Sequence, residues 1–325
     1  MVPDDSHSSA LDSQSLEALL ALAGDELAPL GRIATVKSFA AGETVYEEAA
    51  VGTDFLLVVA GELEARRRTP FGDQRVAMLR PGDICGEISL LDGKPRSSGV
   101  VGLSAGRLLR FGAPDVAALA AAQPEVDVAL LRMFCRTLAG KIRQANMVMT
   151  EIMAPGATAD PRGKGSKGEE SDLDQESKRR LLAEQGMASA ELQALSAFLK
   201  AERFASGEPI FREGEADDTL YIVAEGQVRI SRRIPGLGDE AIAILGRGEV
   251  FGEMAWIDSS PRSADAVAHT GGCTVLGISR HHLDGTLGTD AASSAQFLKV
   301  VCQVLCRRLR AMNDQLVAYR TIAWF

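Results

Sequence analysis

Sliding the sequence against itself by 165 positions places Glu26-Leu27 on Glu191-Leu192, Phe39-Ala40 on Phe204-Ala205, Gly42-Glu43 on Gly207-Glu208 and Gly61 on Gly226, without a gap. One residue is gained in the turn after Arg66. At a shift of 166, Gly86-Glu87 then lies on Gly252-Glu253 and Pro95-Arg96 on Pro261-Arg262. A further residue is gained before a long helical segment, where Cys135, Leu138 and Asn146 lie on Cys302, Leu305 and Asn313 at a shift of 167. The chain is a duplication, and its 325 residues suffice for two separate cores.

Between the copies runs APGATADPRGKGSKGEESDLDQES, rich in Gly, Pro, Ser and charge and almost without large apolar residues. Such composition buries too little to offset the entropy of ordering, so a flexible linker is expected. The expected organisation is a disordered tail over 1–15, a first domain over 16–153, a linker over 154–178 and a second domain over 179–325.

Each copy is strand-like at its centre, with FLLVVAGELEARRR and TLYIVAEGQVRISRR as short apolar and β-branched runs. Gly42-Glu43, Gly72-Asp73, Gly82-Asp83, Gly207-Glu208, Gly238-Asp239 and Gly248-Glu249 mark turns at spacings suited to an antiparallel sandwich or barrel. Each copy closes on a helix. Val128, Leu131, Cys135, Leu138, Ile142, Ala145, Met149 and Ile152 alternate spacings of three and four, as do Ala295, Leu298, Cys302, Leu305, Leu309, Met312, Leu316 and Tyr319. That is a coiled-coil seam of about three heptads on each helix, longer than packing on its own barrel needs.

Several function classes drop out. No apolar run approaches the ~18 residues of a membrane span. The acid- and serine-rich start MVPDDSHSSALDSQS is unlike a secretory signal, so a cytoplasmic location is expected. Cys85, Cys135, Cys273, Cys302 and Cys306 are odd in number and lack CxxC spacing, which favours neither a disulfide framework nor a metal site. A net charge of −9 opposes a large phosphate-tracking surface. His7, His269, His281 and His282 suggest no triad, and no catalysis is expected.

What remains is a pair of cassettes, CGEISLLDGKPRSS and FGEMAWIDSSPRSA, with Glu87 nine positions before Arg96 and Glu253 nine before Arg262. A guanidinium and the amides of a short helical turn supply fixed donors to an anionic oxygen, and a carboxylate accepts from a hydroxyl. Gly86 and Gly252 let the backbone approach a ligand closely. Both segments resemble the phosphate-binding cassette of the cyclic nucleotide-binding domain family, approximately FGE(L/I)(A/S)L…PR(A/S/T)(A/S). The first departs from it at Cys85, a change that touches packing more than ligand contact. The resemblance covers about residues 20–153 and 187–320.

The resemblance implies a mainly β fold with flanking helices, namely two jelly-roll-like β-barrel domains that each end in a long α-helix. It implies that Glu87 and Glu253 accept from a ribose 2′-hydroxyl, that Arg96 and Arg262 pair with a cyclic phosphate, and that the amides around Ile88-Ser89 and Met254-Ala255 complete the anion hole. Ser97 and Ser263 can add a hydroxyl, and serine there points to cAMP before cGMP. Asn146 and Asn313 match the place from which catabolite activator-like helices reach the base. They equally suit a solvent-facing or register-setting role. A salt-bridged Glu–Arg pair in a domain without ligand is the alternative for either site.

After Ile152 comes the linker and after Tyr319 only RTIAWF, so no DNA-reading domain is expected, nor is direct DNA binding. The start has no arginine and hence no Arg-Arg-x-Ser inhibitor segment of the kinase regulatory subunits. The expected function is an intracellular cyclic nucleotide receptor that signals to an unidentified protein partner by repositioning its long helices. The alternatives are a non-binding scaffold or the regulatory subunit of a separate kinase or other enzyme. The helices can pair within one chain or in a homodimer. A helix of about 25 residues runs ~37 Å, and a linker of about 24 residues extends to roughly 80 Å, enough to return for parallel pairing.

Overall fold

The computed structural model describes residues 11–153, 164–187, 189–234 and 238–322; most of the expected N-terminal tail and residues 154–163 of the expected linker lie outside them. The first copy runs α1 (Ser13–Ala23), β1 (Thr35–Phe39), β2 (Thr44–Tyr46), β3 (Phe55–Ala60), β4 (Leu63–Thr69), β5 (Gly72–Leu79), β6 (Ile84–Cys85), α2 (Glu87–Asp92), β7 (Gly99–Gly102), β8 (Gly106–Phe111), α3 (Ala113–Ala122) and α4 (Pro124–Met153). The second runs β9 (Glu169–Glu170), α5 (Gln175–Glu184), α6 (Ala190–Ala194), β10 (Lys200–Phe204), β11 (Pro209–Phe211), β12 (Leu220–Ile234), β13 (Gly238–Leu245), β14 (Val250–Phe251), α7 (Glu253–Asp258), β15 (Asp265–Ile278), α8 (Arg280–Leu287) and α9 (Ala291–Ile322).

The first β region forms two antiparallel four-stranded sheets, ordered β1-β8-β3-β6 and β2-β7-β4-β5. Phe39, Leu56, Val58, Leu63, Val100 and Leu108 form their shared core, which also takes in Cys85. In the second β region the same path is one sheet ordered β13-β12-β15-β10-β9, with β11 on β15 and β14 on β12. The 15-residue β12 covers the ground of β3 and β4, and β15 that of β7 and β8. Its core holds Phe204, Tyr221, Val223, Val228, Phe251 and Val275. The ladders are antiparallel and jelly-roll-like as expected, although among the described residues they do not close into a continuous hydrogen-bonded barrel.

All six glycines read as turn markers have positive φ. The closing helices are longer than expected, 30 residues for α4 and 32 for α9. Their seams are buried from Val128 to Met149 and from Ala295 to Leu316 at every position of the three-four pattern. The polypeptide divides into two compact units, one running to Thr137 and taking up the chain again from Asn313, the other comprising Leu138–Met312. The dividing points fall inside α4 and α9. Within the first unit Arg67 pairs with Asp314 at 2.8 Å, and within the second Arg143 pairs with Asp258 at 2.6 Å.

Part of the stretch expected to be flexible linker is instead built into the second unit. Glu169 and Glu170 pair antiparallel with Arg203 and Glu202. Strand addition of this kind rests on main-chain hydrogen bonds, which polar composition does not prevent.

Candidate functional site

In the second unit the chain leaves β14 at Phe251 and turns into α7 at Gly252, whose φ is 77°. A side-chain carbon at Gly252 would sit 2.8 Å from the Thr219 carbonyl oxygen, so only glycine passes here. Glu253, the first residue of α7, is wholly buried, and its Oε1 receives Nη1 of Arg308 from α9. Arg308 Nη2 also donates to the Val250 carbonyl at 3.0 Å. The first-turn amides of α7, on the buried residues Met254 and Ala255, have no carbonyl one turn back to bond.

Arg262 is 3% exposed. Its Nη1 donates to the Gly252 carbonyl at 2.9 Å, and its Nη2 to the Thr219 carbonyl at 2.7 Å and to the Asp217 carboxylate. The guanidinium lies 4.1 Å above the centre of the Phe211 ring. Phe211, Ile230, Glu253, Arg262, Ser263 and Arg308 line one cavity. Ser263 is half-buried at its edge and donates to the Met254 sulfur at 3.3 Å. Two atoms of these lining residues, Glu253 Oε2 and Arg262 Nε, are buried without a hydrogen-bond partner among the described residues.

The first unit repeats the design. Gly86 has φ 85° and precedes Glu87, which is wholly buried at the start of α2, with Ile88 and Ser89 buried beside it. Arg96 is buried, donates through Nη1 to the carbonyls of Asp54 at 2.8 Å and Gly86 at 2.9 Å, and through Nη2 to the Asp54 carboxylate. Its guanidinium lies 4.5 Å over the Tyr46 ring. Ser97, half-buried, follows it. Burial is the strongest influence on the Tyr46 phenol and pushes its pKa well up, so the ring stays neutral under the cation.

Each site arginine thus carries an internal counter-ion. Burial works upward on the Asp54 carboxyl, but the Arg110 hydrogen bond and the Arg96 charge outweigh it and hold the group below its ordinary value. Burial likewise works upward on Asp217 and is outweighed by the charge and hydrogen bond of Arg262, with Thr219 adding to them.

Gly252, Glu253, Met254, Ala255, Arg262 and Ser263 of the second cassette thus line one cavity, and in the first cassette Arg96 donates to the Gly86 carbonyl. Asn146 and Asn313 are buried, at 5% and 8% exposure, so neither faces solvent. Asn146 belongs to the unit that holds Arg262 and Asn313 to the unit that holds Arg96. The Asn146 side-chain oxygen has no hydrogen-bond partner among the described residues. Sequence reasoning missed Tyr46 and Phe211, Asp54 and Asp217, and Arg308. The first pair was detectable, since both are aromatic at positions 165 apart.

The chain belongs to the cyclic nucleotide-binding domain family, which it matches over residues 36–123 and 201–290, more than half its length. It is 33% identical over 132 residues to the CRP-like cAMP-activated global transcriptional regulator of Mycobacterium tuberculosis, covering 41% of this chain and 57% of that protein. It is 24% identical over 241 residues to the cAMP-dependent protein kinase regulatory subunit of Mycosarcoma maydis, covering 70% of this chain and 37% of that one. The chain thus spans little more than half, or less, of these curated relatives. Among solved structures it is similar to the regulatory domain of Toxoplasma gondii PKA with cAMP, at 24% identity and TM-score 0.33, covering 89% of this chain and 96% of that one. Among the described residues no helix is long and apolar enough to cross a membrane.

Proposed function

We propose that the chain is a regulatory receptor that binds one cyclic purine nucleotide at each cassette, cAMP in preference to cGMP. Glu87 and Glu253 accept from the ribose 2′-hydroxyl. Arg96 and Arg262 pair with the cyclic phosphate, and the amides around Ile88-Ser89 and Met254-Ala255 complete its cradle, with Ser97 and Ser263 as added hydroxyls. The observation that carries this reading is the pair of orphaned atoms in the second site. Buried polar atoms are nearly always paired, and a phosphodiester oxygen and a ribose hydroxyl supply what Arg262 Nε and Glu253 Oε2 lack.

Asn146 and Asn313 are the base-contacting residues of this reading. Asn146 serves the second site and Asn313 the first, so each site draws on the helix that closes the other repeat. On this reading the long helices pair, within one chain or in a homodimer, and nucleotide shifts their packing to alter a surface read by a protein partner. The relatedness to a kinase regulatory subunit across both repeats favours an enzyme as that partner. No catalytic role belongs to this reading.

The test is isothermal titration with cAMP and then cGMP on the nucleotide-free protein and on Arg96→Leu and Arg262→Leu. Two sites are expected, each lost with its own arginine. Silence with both nucleotides in the folded protein overturns the reading and leaves a scaffold. An obligate dimer by light scattering overturns the single-chain pairing.

A further inference from the structure

The segment Lys164–Ser171 docks on the second unit at both of its ends. Glu169 and Glu170 extend the sheet beside β10, and the Ser171 amide donates to the Ala201 carbonyl at 3.0 Å. Upstream, the Ser166 amide and hydroxyl both donate to the Pro209 carbonyl, at 2.7 and 2.8 Å, and the Gly165 amide donates to Glu215 Oε1. Its glycines fit by lacking side chains. A side-chain carbon at Gly165 would stand 2.7 Å from Phe211 Cα, and one at Gly168 would stand 2.8 Å from the Phe204 ring. Gly-Ser-Lys-Gly is here a flush-packing surface.

The strap meets the two groups that seat the site arginine. Phe211, against whose backbone Gly165 lies, is the ring beneath the Arg262 guanidinium. Glu215, which accepts from Gly165 through its side chain, accepts the Arg262 amide at 2.9 Å through its carbonyl. One residue of linker therefore touches both the platform under Arg262 and the loop that fixes its backbone.

We propose that Lys164–Ser171 is a working part of the second nucleotide site, a strap that holds Phe211 and Glu215 in place under Arg262 and so sets the affinity of that site. Glu215 is its positioning residue. Coupling of this kind is reciprocal, so nucleotide at the second site holds the strap down by the same factor that the docked strap tightens binding. Any event in the linker that lifts the strap lowers nucleotide occupancy at the second site and leaves the first site unchanged. The inference rests on the receptor reading above.

The test uses the full chain with Ser166→Pro, which removes both donors to Pro209, and Gly168→Val, which cannot pass the Phe204 ring. Hydrogen exchange at the Ser171 amide and titration with cAMP are measured on each. The strap variants are expected to exchange faster without nucleotide and to lose tenfold or more in affinity at the second site. Binding at the first site, unchanged, certifies that they are folded. In the wild type, cAMP slows exchange at Ser171, and Arg262→Leu abolishes that slowing. Glu215→Gln, which keeps an acceptor for Gly165, retains the affinity that Glu215→Ala loses. If the wild type takes up two equivalents and the strap variants bind like it, the strap proposal alone fails. If the wild type takes up none, the receptor reading fails and the strap proposal with it.

Discussion

Arg143 grips Asp258 with two bonds, Nε to Oδ2 at 2.6 Å and Nη2 to Oδ1 at 3.0 Å, and donates to the Pro261 carbonyl at 3.1 Å, one residue before Arg262. Arg143 comes from the closing helix of the first repeat and Asp258 from the cassette of the second, and both lie in one compact unit. The cassette loop of the second site is thereby fastened by a residue outside its own repeat. Charge-assisted bonds of this kind contribute roughly 1.5–3 kcal/mol. Arg143→Gln is expected to weaken nucleotide binding at the second site about tenfold and to spare the first, measured by calorimetry. Arg143→Lys is expected to recover little, because an ammonium cannot reproduce the planar fork.

The glycines that open the cassettes give a second expectation. An alanine at Gly86 or Gly252 would hold positive φ and place its side-chain carbon 2.7 or 2.8 Å from a carbonyl oxygen, that of Asp54 or Thr219. The left-handed conformation alone costs about 1–2 kcal/mol. Gly252→Ala is expected to reduce affinity at the second site tenfold or more, and Gly86→Ala at the first. Equal binding by wild type and variants in a two-site titration would remove these turns from the site.

Arg308 neutralises a carboxylate with no solvent exposure. Removing one member of a buried pair typically costs about 3–5 kcal/mol, because the other charge is stranded. Arg308→Leu is therefore expected to lower the melting temperature of the chain clearly. Adding Glu253→Gln to it should restore part of the loss, and a double-mutant cycle by chemical denaturation reads the coupling directly.

Acid sensitivity follows from Asp54 and Asp217. Both carboxyls titrate below their ordinary value of 3.8 in the folded chain. Their stabilisation is complete above that value and is lost as pH falls through the lower folded values. Unfolding free energy should thus be insensitive to these two groups between neutrality and about pH 5 and should decline below about pH 4. The double variant Asp54→Asn/Asp217→Asn is expected to show a shallower decline. The helix-capping carboxylates Asp12, Asp174 and Asp290, also held low, add to the slope.

The duplication and the cassettes were legible because their residues do jobs that few others can do. Gly252 must take a positive φ, Glu253 and Arg262 must bring charge into a buried cavity, and the helix seam must repeat every three and four residues. The counter-ions were not legible, since Asp54 aligns with Thr219 and Asp217 with Gly52. The same carboxylate reaches its arginine from two different positions, and repetition cannot mark it. Arg308 sits among charged helix neighbours and reads as part of a solvated face until its contact with Glu253 is seen. The linker deceived for another reason: composition reports side-chain burial, whereas residues 164–171 are held largely by backbone.

The aspartates beside the site arginines bear on how an anion would enter. The Asp217 side chain is 36% exposed and that of Asp54 only 20%, so the former can turn to water more readily when Arg262 takes another partner. On the receptor reading, a phosphodiester oxygen that takes the free Arg262 Nε and releases Asp217 from Nη2 would leave the charge within the pocket nearly unchanged. Such a pocket works as an ion exchanger, not an ion sink. Its selectivity then rests on which anion fits, and uptake at the second site should depend on ionic strength far less than the attraction of a bare guanidinium would.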